Sequence, residues 1–217
     1  MKEKTPTIFV VDDDDAVRTA LRLLIKSLGL PVETFASGQE FLDSFDGDRP
    51  GCLVVDIRMP GMSGLELQAK LNEIHSITPL VFISGHGDIP MAVEAMQHGA
   101  VDFIQKPFRD QDLIDRIHQA LDLDRANRAA LKGRDTIIER IRTLTPREHE
   151  VLALVAAGKA NKVIAGDLDV SQRTVEIHRA RVMEKMNASS LAHLVRMVIE
   201  AEREPNAETS KRPPVTQ

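Results

Sequence analysis

At 217 residues, 42% of them hydrophobic and 28% charged, the chain is long enough for two small domains that each bury a core. Its longest apolar runs, such as Cys52–Val55 and Leu80–Ile83, are too short for a membrane span, and Met1–Pro6 is too polar for a secretory signal. One cysteine, Cys52, excludes an intrachain disulfide and a multi-cysteine zinc site, so a cytoplasmic protein is expected. The net charge of −5 is unevenly spread: 11 Lys/Arg against 21 Asp/Glu over residues 1–124, and 11 against 8 over residues 140–203. If either half meets an anion, it is the second.

In chain order, the first half alternates short β-branched runs with amphipathic stretches. Strands are predicted at Ile8–Val11, Val32–Phe35, Cys52–Val55, Leu80–Ile83 and Phe103–Gln105, and helices at about 15–28, 38–45, 64–75, 90–98 and 110–122. Five strand–helix units predict an α/β doubly wound, five-stranded parallel sheet with both faces covered. Residues 124–140 are polar and helix-prone and read as a helical linker. Ile137, Ile138, Ile141 and Leu144 either start a packed or dimerising stripe or belong to a solvated connector.

The remainder, 141–203, has only helical patterning. Thr145-Pro146-Arg147-Glu148 is a capping box with proline at the first helical position, and Gly158 suits that helix's left-handed stop. Asn161 is read as the cap of a short helix ending near Leu168, and Ser171 as the cap of a longer one ending near Met186. Ser189 or Ser190 starts a fourth helix, reaching about Arg203. Glu204–Gln217, with three prolines and no apolar period, is expected to be disordered.

Chemistry-bearing residues collect after the strands of the first half. Asp12 and Asp13 follow the first strand, Asp56 ends the third, Ser84 ends the fourth and Lys106 follows the fifth. In an open parallel sheet these positions share one edge, at the point where strand order reverses. Crowded carboxylates need a cation, and hard oxygen donors suit Mg²⁺. A carboxylate can attack a phosphoryl group, whose oxygens an ammonium and a hydroxyl then neutralise. Asp14 and Asp15, by contrast, read as a helix cap and its dipole partner.

Val10-Val11-Asp12-Asp13, Asp56-Ile57-Arg58-Met59-Pro60-Gly61-Met62-Ser63-Gly64, Ser84-Gly85 and Lys106-Pro107-Phe108 resemble the signature set of receiver domains of two-component systems, over residues 7–123. The resemblance implies a flavodoxin-like receiver in residues 1–123, with Asp56 as phospho-acceptor. It implies Mg²⁺ held by Asp12, Asp13, Asp56 and the main-chain carbonyl of Arg58, with Ser84 and Lys106 on the phosphoryl oxygens. Phe103 falls at the aromatic switch position, although a core aromatic is an equal reading of it.

Residues 161–186 give a short helix, a turn at Asp169-Val170 and a second helix, the order of a helix-turn-helix. At about 100° per residue, Val175, Val182 and Met186 share one face. Arg173, Glu176, Ile177, Ala180 and Arg181 fall opposite, and His178 lies on the flank. Arg179 sits near the inward face and is given no base contact.

Leu144-Thr145-Pro146-Arg147-Glu148 with Val170–Arg179 resembles the LuxR-type DNA-binding domain over about 141–201, and within it the FixJ subfamily. That resemblance implies a small all-α domain whose third helix enters the major groove, with Lys162, Thr174 and His178 as backbone contacts. Glu176 and Ala180 depart from relatives that carry Lys there, so two copies on a palindrome are expected to be needed.

Together these readings predict a response regulator, a transcriptional activator rather than an enzyme. Its implied partners are a sensor histidine kinase, promoter DNA, RNA polymerase and a second copy on phosphorylation. An aspartyl-phosphate phosphatase is disfavoured, because Arg58 stands where such enzymes need a second Asp. A constitutive DNA-binding protein is disfavoured by the complete pocket.

Overall fold

The computed structural model describes residues 5–47, 49–85 and 89–202, so the tail expected to be disordered lies outside the described residues. The chain divides into two compact units, one ending at Arg128 and the other starting at Ala129.

The first unit is a five-stranded parallel sheet of order β2-β1-β3-β4-β5. The strands are β1 (Thr7–Val11), β2 (Val32–Phe35), β3 (Gly51–Asp56), β4 (Leu80–Ser84) and β5 (Asp102–Gln105). The helices are α1 (Asp15–Ser27), α2 (Gly38–Ser44), α3 (Gly64–Glu73), α4 (Ile89–Gln97) and α5 (Asp110–Arg142). Alternation along the central strands divides the core in two. Ile8, Val10, Cys52, Val54, Val81 and Ile83 pack against Leu21 and Ile25 of α1 and Leu113, Ile117, Ala120 and Leu121 of α5. Phe9, Val11, Leu53, Val55 and Phe82 pack on the other face with Phe41 of α2, Leu67 and Leu71 of α3 and Ala95 of α4. Burying a side chain such as Ile117 contributes roughly 1.5–3 kcal/mol, and it is fully buried.

Order reverses between β1 and β3, so the carboxyl ends of these two strands flank the switch point. Local chemistry starts the helices around it. Asp14 caps α1 by accepting the Ala16 N–H at 2.8 Å, as the sequence implied, and Arg18 reaches Asp15 at 2.9 Å. Ser63 and Glu66 form a capping box on α3.

The stretch read as a linker belongs to α5, which is continuous from Asp110 to Arg142. Only its ends are packed: Asp124 is buried, and Ile137, with Leu144 beyond it, sits in the second unit's core with Ile141 packed against it, whereas none of residues 125–136 is buried. Ile138 is only half-buried.

The second unit adds α6 (Pro146–Ala156), α7 (Asn161–Asp167), α8 (Gln172–Met186) and α9 (Leu191–Glu202) to the end of α5. The Thr145 capping box forms, and Gly158 takes φ 78°. One expectation is corrected. Asn161 does not cap α7: Ala160 holds that position without a side-chain bond, and Asn161 Oδ1 instead accepts Arg179 Nη1 at 2.6 Å. The charge-assisted bond outcompetes the cap. It also accounts for Arg179, whose place near the inward face makes it a tie between α7 and α8. Ser171 caps α8, and Ser190, rather than Ser189, accepts the His193 N–H that starts α9.

Candidate functional sites

At the carboxyl edge of the sheet, β1 delivers Asp12 and β3 delivers Asp56. Lys106, after β5, places its Nζ 2.8 Å from Asp12 Oδ2 and 2.7 Å from Asp56 Oδ1. The remaining oxygens are held by backbone: Asp12 Oδ1 accepts the Asp14 N–H at 2.9 Å, and Asp56 Oδ2 accepts the Arg58 N–H at 2.7 Å. Burial pushes Asp12's carboxyl above its ordinary value of 3.8, against the pull of Lys106 and the Asp14 N–H. Burial also works against the Lys106 charge, but hydrogen bonds to the two carboxylates outweigh it and hold the ammonium above 10.5.

Ser84 is buried at the end of β4, and its carbonyl accepts the Lys106 N–H at 2.7 Å. Phe103 is half-buried on β5, paired in register with Phe82. Asp13 and the Arg58 side chain are exposed. The structure does not draw Asp13 in with Asp12 and Asp56. Among the described residues no three His, Cys, Asp or Glu side chains converge as a metal cluster, and it is Lys106 that lies between the two buried carboxylates. Gly64 closes the floor: a Cβ there would stand 2.5 Å from the Asp56 carbonyl oxygen and 2.9 Å from the Phe82 ring.

The donors fit a small divalent cation. All are hard oxygens, and the two buried carboxylates that share the Lys106 ammonium leave a net −1 there, with exposed Asp13 next in sequence to Asp12.

In the second unit, α8 buries Val175, Val182 and Met186 and exposes Arg173, Glu176, Ile177, Ala180 and Arg181, the division predicted from spacing. Lys162 on α7 is exposed; Thr174 and His178 are half-buried. The Thr174 hydroxyl lies 2.7 Å from that of Ser171, and His178 Nδ1 is buried with no hydrogen-bond partner among the described residues. Reading the sequence missed the clamps on α8. Besides Arg179–Asn161, Lys185 Nζ donates to Glu148 Oε2 at 2.6 Å, and Arg140 Nη1 to the Met186 carbonyl at 3.2 Å. Glu148 is buried, and the Lys185 ammonium with the Thr145 N–H lowers its carboxyl to about 2.

Residues 8–118 match the response regulator receiver domain, and residues 142–198 match the bacterial regulatory proteins of the luxR family. This chain belongs to the response regulators that join a receiver to a LuxR-type DNA-binding domain. As a response regulator of this kind it is a phosphorylation-activated transcriptional regulator, whose receiver implies a sensor kinase and whose second unit implies DNA as partners. Receiver domains generally bind Mg²⁺ at the phosphorylation site. The chain is 48% identical to the transcriptional regulatory protein FixJ of Rhizobium meliloti, over 89% of this chain and 95% of FixJ. It is 47% identical to nodulation protein W of Bradyrhizobium diazoefficiens, over 88% and 84% of the two chains. The solved structure of the response regulator StyR, 48% identical, matches with a TM-score of 0.77 over 90% of this chain and 99% of that one. Full-length FixJ from B. japonicum, 42% identical, matches at 0.57 over 92% and 98%. Among the described residues no helix is long and apolar enough to cross a membrane.

Proposed function

We propose that Asp56 is the residue of this response regulator that accepts the phosphoryl group, and that its charge partner and clamp is Lys106. The observation that carries this is the Lys106 ammonium shared between Asp12 and Asp56 at the switch point of the sheet. In the transfer, an Asp56 carboxylate oxygen forms the new O–P bond as the P–N bond of a sensor kinase phosphohistidine breaks, and the electron pair returns to the imidazole. Lys106 and the Ser84 hydroxyl pair with the transferred oxygens, and the Arg58 N–H orients the carboxylate. Asp12, Asp13, Asp56 and the Arg58 carbonyl would hold Mg²⁺, which when bound neutralises charge on the phosphoryl oxygens. Asp13 supplies an exposed donor beside the two buried ones.

Phe103 is the switch residue in this reading: it is half-buried beside Phe82, one strand from Ser84, and so has room to change its packing. Arg173, Glu176, Ile177, Ala180 and Arg181 face base edges, while Lys162, Thr174 and His178 face phosphates. Phosphorylation promotes homodimerisation, which places two such helices on one palindrome and compensates for the absence of Lys at Glu176 and Ala180. The regulator acts in the cytoplasm as an activator and recruits RNA polymerase.

Incubation with a small phosphodonor and Mg²⁺, followed by mass measurement, tests the site. Wild type gains one phosphoryl group and Asp56→Asn gains none; equal labelling of the two sinks the assignment.

A further inference from the structure

The charged side chains of α8 divide into two sets. Arg179 and Lys185 are committed inside the second unit, to Asn161 Oδ1 at 2.6 Å and to Glu148 Oε2 at 2.6 Å. Arg173, Glu176, Arg181 and Glu184 are exposed, and no hydrogen bond or ion pair joins the side chain of any of them to another described residue. Arg173 lies three residues before Glu176, the spacing of a surface ion pair, yet the two are not paired.

Glu176 is the one acid on the first two turns of α8. Those are the turns of a recognition helix that reach base edges. Ala180, one turn further on the same stripe, offers no polar atom. A carboxylate brought into a groove lined by phosphates is repelled and loses its water. It has no N–H to donate, so against guanine N7 and O6 or thymine O4 it meets only acceptors. An exocyclic amine is the base-edge group that compensates it. Cytosine presents its N4 amine alone in the major groove, whereas adenine sets its N6 amine beside the N7 acceptor. A side chain of this kind specifies as much by what it rejects as by what it attracts.

We infer that Glu176 is a specificity-determining residue: it selects a cytosine through the N4 amine and excludes guanine and thymine from that position. The inference rests on the reading that the exposed face of α8 meets base edges. The carboxylate that weakens one copy's hold on DNA is then also what narrows its choice of sequence.

The test uses the full chain, treated with a small phosphodonor and Mg²⁺, as wild type, Glu176→Ala, Glu176→Gln and Glu184→Ala. A duplex is selected from a random pool with wild type, each of its C·G pairs is changed in turn to T·A, and affinities for these and for one unrelated duplex are measured. In wild type, one such change should cost about tenfold. In Glu176→Ala the same change should cost less than about twofold, and the unrelated duplex should bind more tightly than it does to wild type. Glu176→Gln gains an amide donor, so its preference should move toward adenine. Glu184 carries the same charge about 12 Å further along the helix axis, so Glu184→Ala should tighten binding to every duplex by one factor. Thermal melts matching wild type show that these exposed substitutions leave the fold intact. If Glu176→Ala likewise tightens every duplex by one factor, Glu176 is only a repelling charge and the inference is overturned. A selected duplex in which no C·G change is costly overturns it as well. If wild type selects no sequence, or Arg181→Ala binds the selected duplex as wild type does, the base-facing role of α8 fails, and this inference with it.

Discussion

Lys106 and Asp56, fifty positions apart, meet at 2.7 Å between Nζ and Oδ1. The same ammonium serves buried Asp12, so one cation compensates two carboxylates. Lys106→Met would leave that pair uncompensated. Removing one partner of a largely buried ion pair costs on the order of 2 kcal/mol, allowing for the partial exposure of the lysine, which is 23% exposed. Thermal unfolding should show the loss, and added Mg²⁺ should restore more stability to the variant than to wild type. No difference in the Mg²⁺ response would contradict the charge balance drawn for this edge.

Gly64 is where backbone sterics meet the proposed phosphorylation site. A Cβ 2.5 Å from the Asp56 carbonyl oxygen and 3.0 Å from Val55 cannot be absorbed by a flexible side chain. Gly64→Ala is expected to destabilise the receiver by about 1–3 kcal/mol and to slow phosphoryl uptake. Denaturant melts and labelling rates check the two effects separately.

Two arginines of α8 separate fold from recognition. Arg179→Ala breaks the 2.6 Å bond to Asn161 and should cost about 1–2 kcal/mol of stability in the second unit. Its salt dependence of DNA binding should stay unchanged. Arg181 is exposed, so Arg181→Ala should leave stability intact and weaken operator binding by about 1–3 kcal/mol. Equal behaviour of the two variants would contradict the assignment.

Glu148 gives the second unit an acid sensitivity of known sign. Its folded value, about 2, lies below the ordinary 4.5, so its contribution is complete above 4.5 and is lost as pH falls from there toward 2. In Glu148→Gln the pH dependence of unfolding across that window should shrink. An unchanged slope would mean that the Lys185 and Thr145 bonds do not hold the carboxylate.

Much of this was legible because it rests on periodicity and strand ends. Near-continuous apolar runs marked β1, β3 and β4, and the strand-end rule brought Asp12, Asp56 and Lys106 together from three separate segments. What escaped were polar residues whose partners lie far along the chain. Asp124 and Arg128 look like a solvated i,i+4 pair, because nothing local reveals that the Gly51 N–H and the Arg49 carbonyl wait opposite them. Asn161 looks like a cap because its competitor, Arg179, stands 18 residues away. The sequence places Asp13 beside Asp12 but does not tell that Asp12 is buried and Asp13 exposed, because neighbours beyond a strand end need not share burial.

In the proposed function, a phosphoryl group on Asp56 controls DNA binding by α8. The most direct measurement is the affinity of the full chain for its selected duplex, with and without phosphodonor and Mg²⁺, in wild type and Asp56→Asn. Treatment should tighten binding in wild type and leave Asp56→Asn unchanged. Wild-type affinity that is the same before and after complete labelling would contradict it.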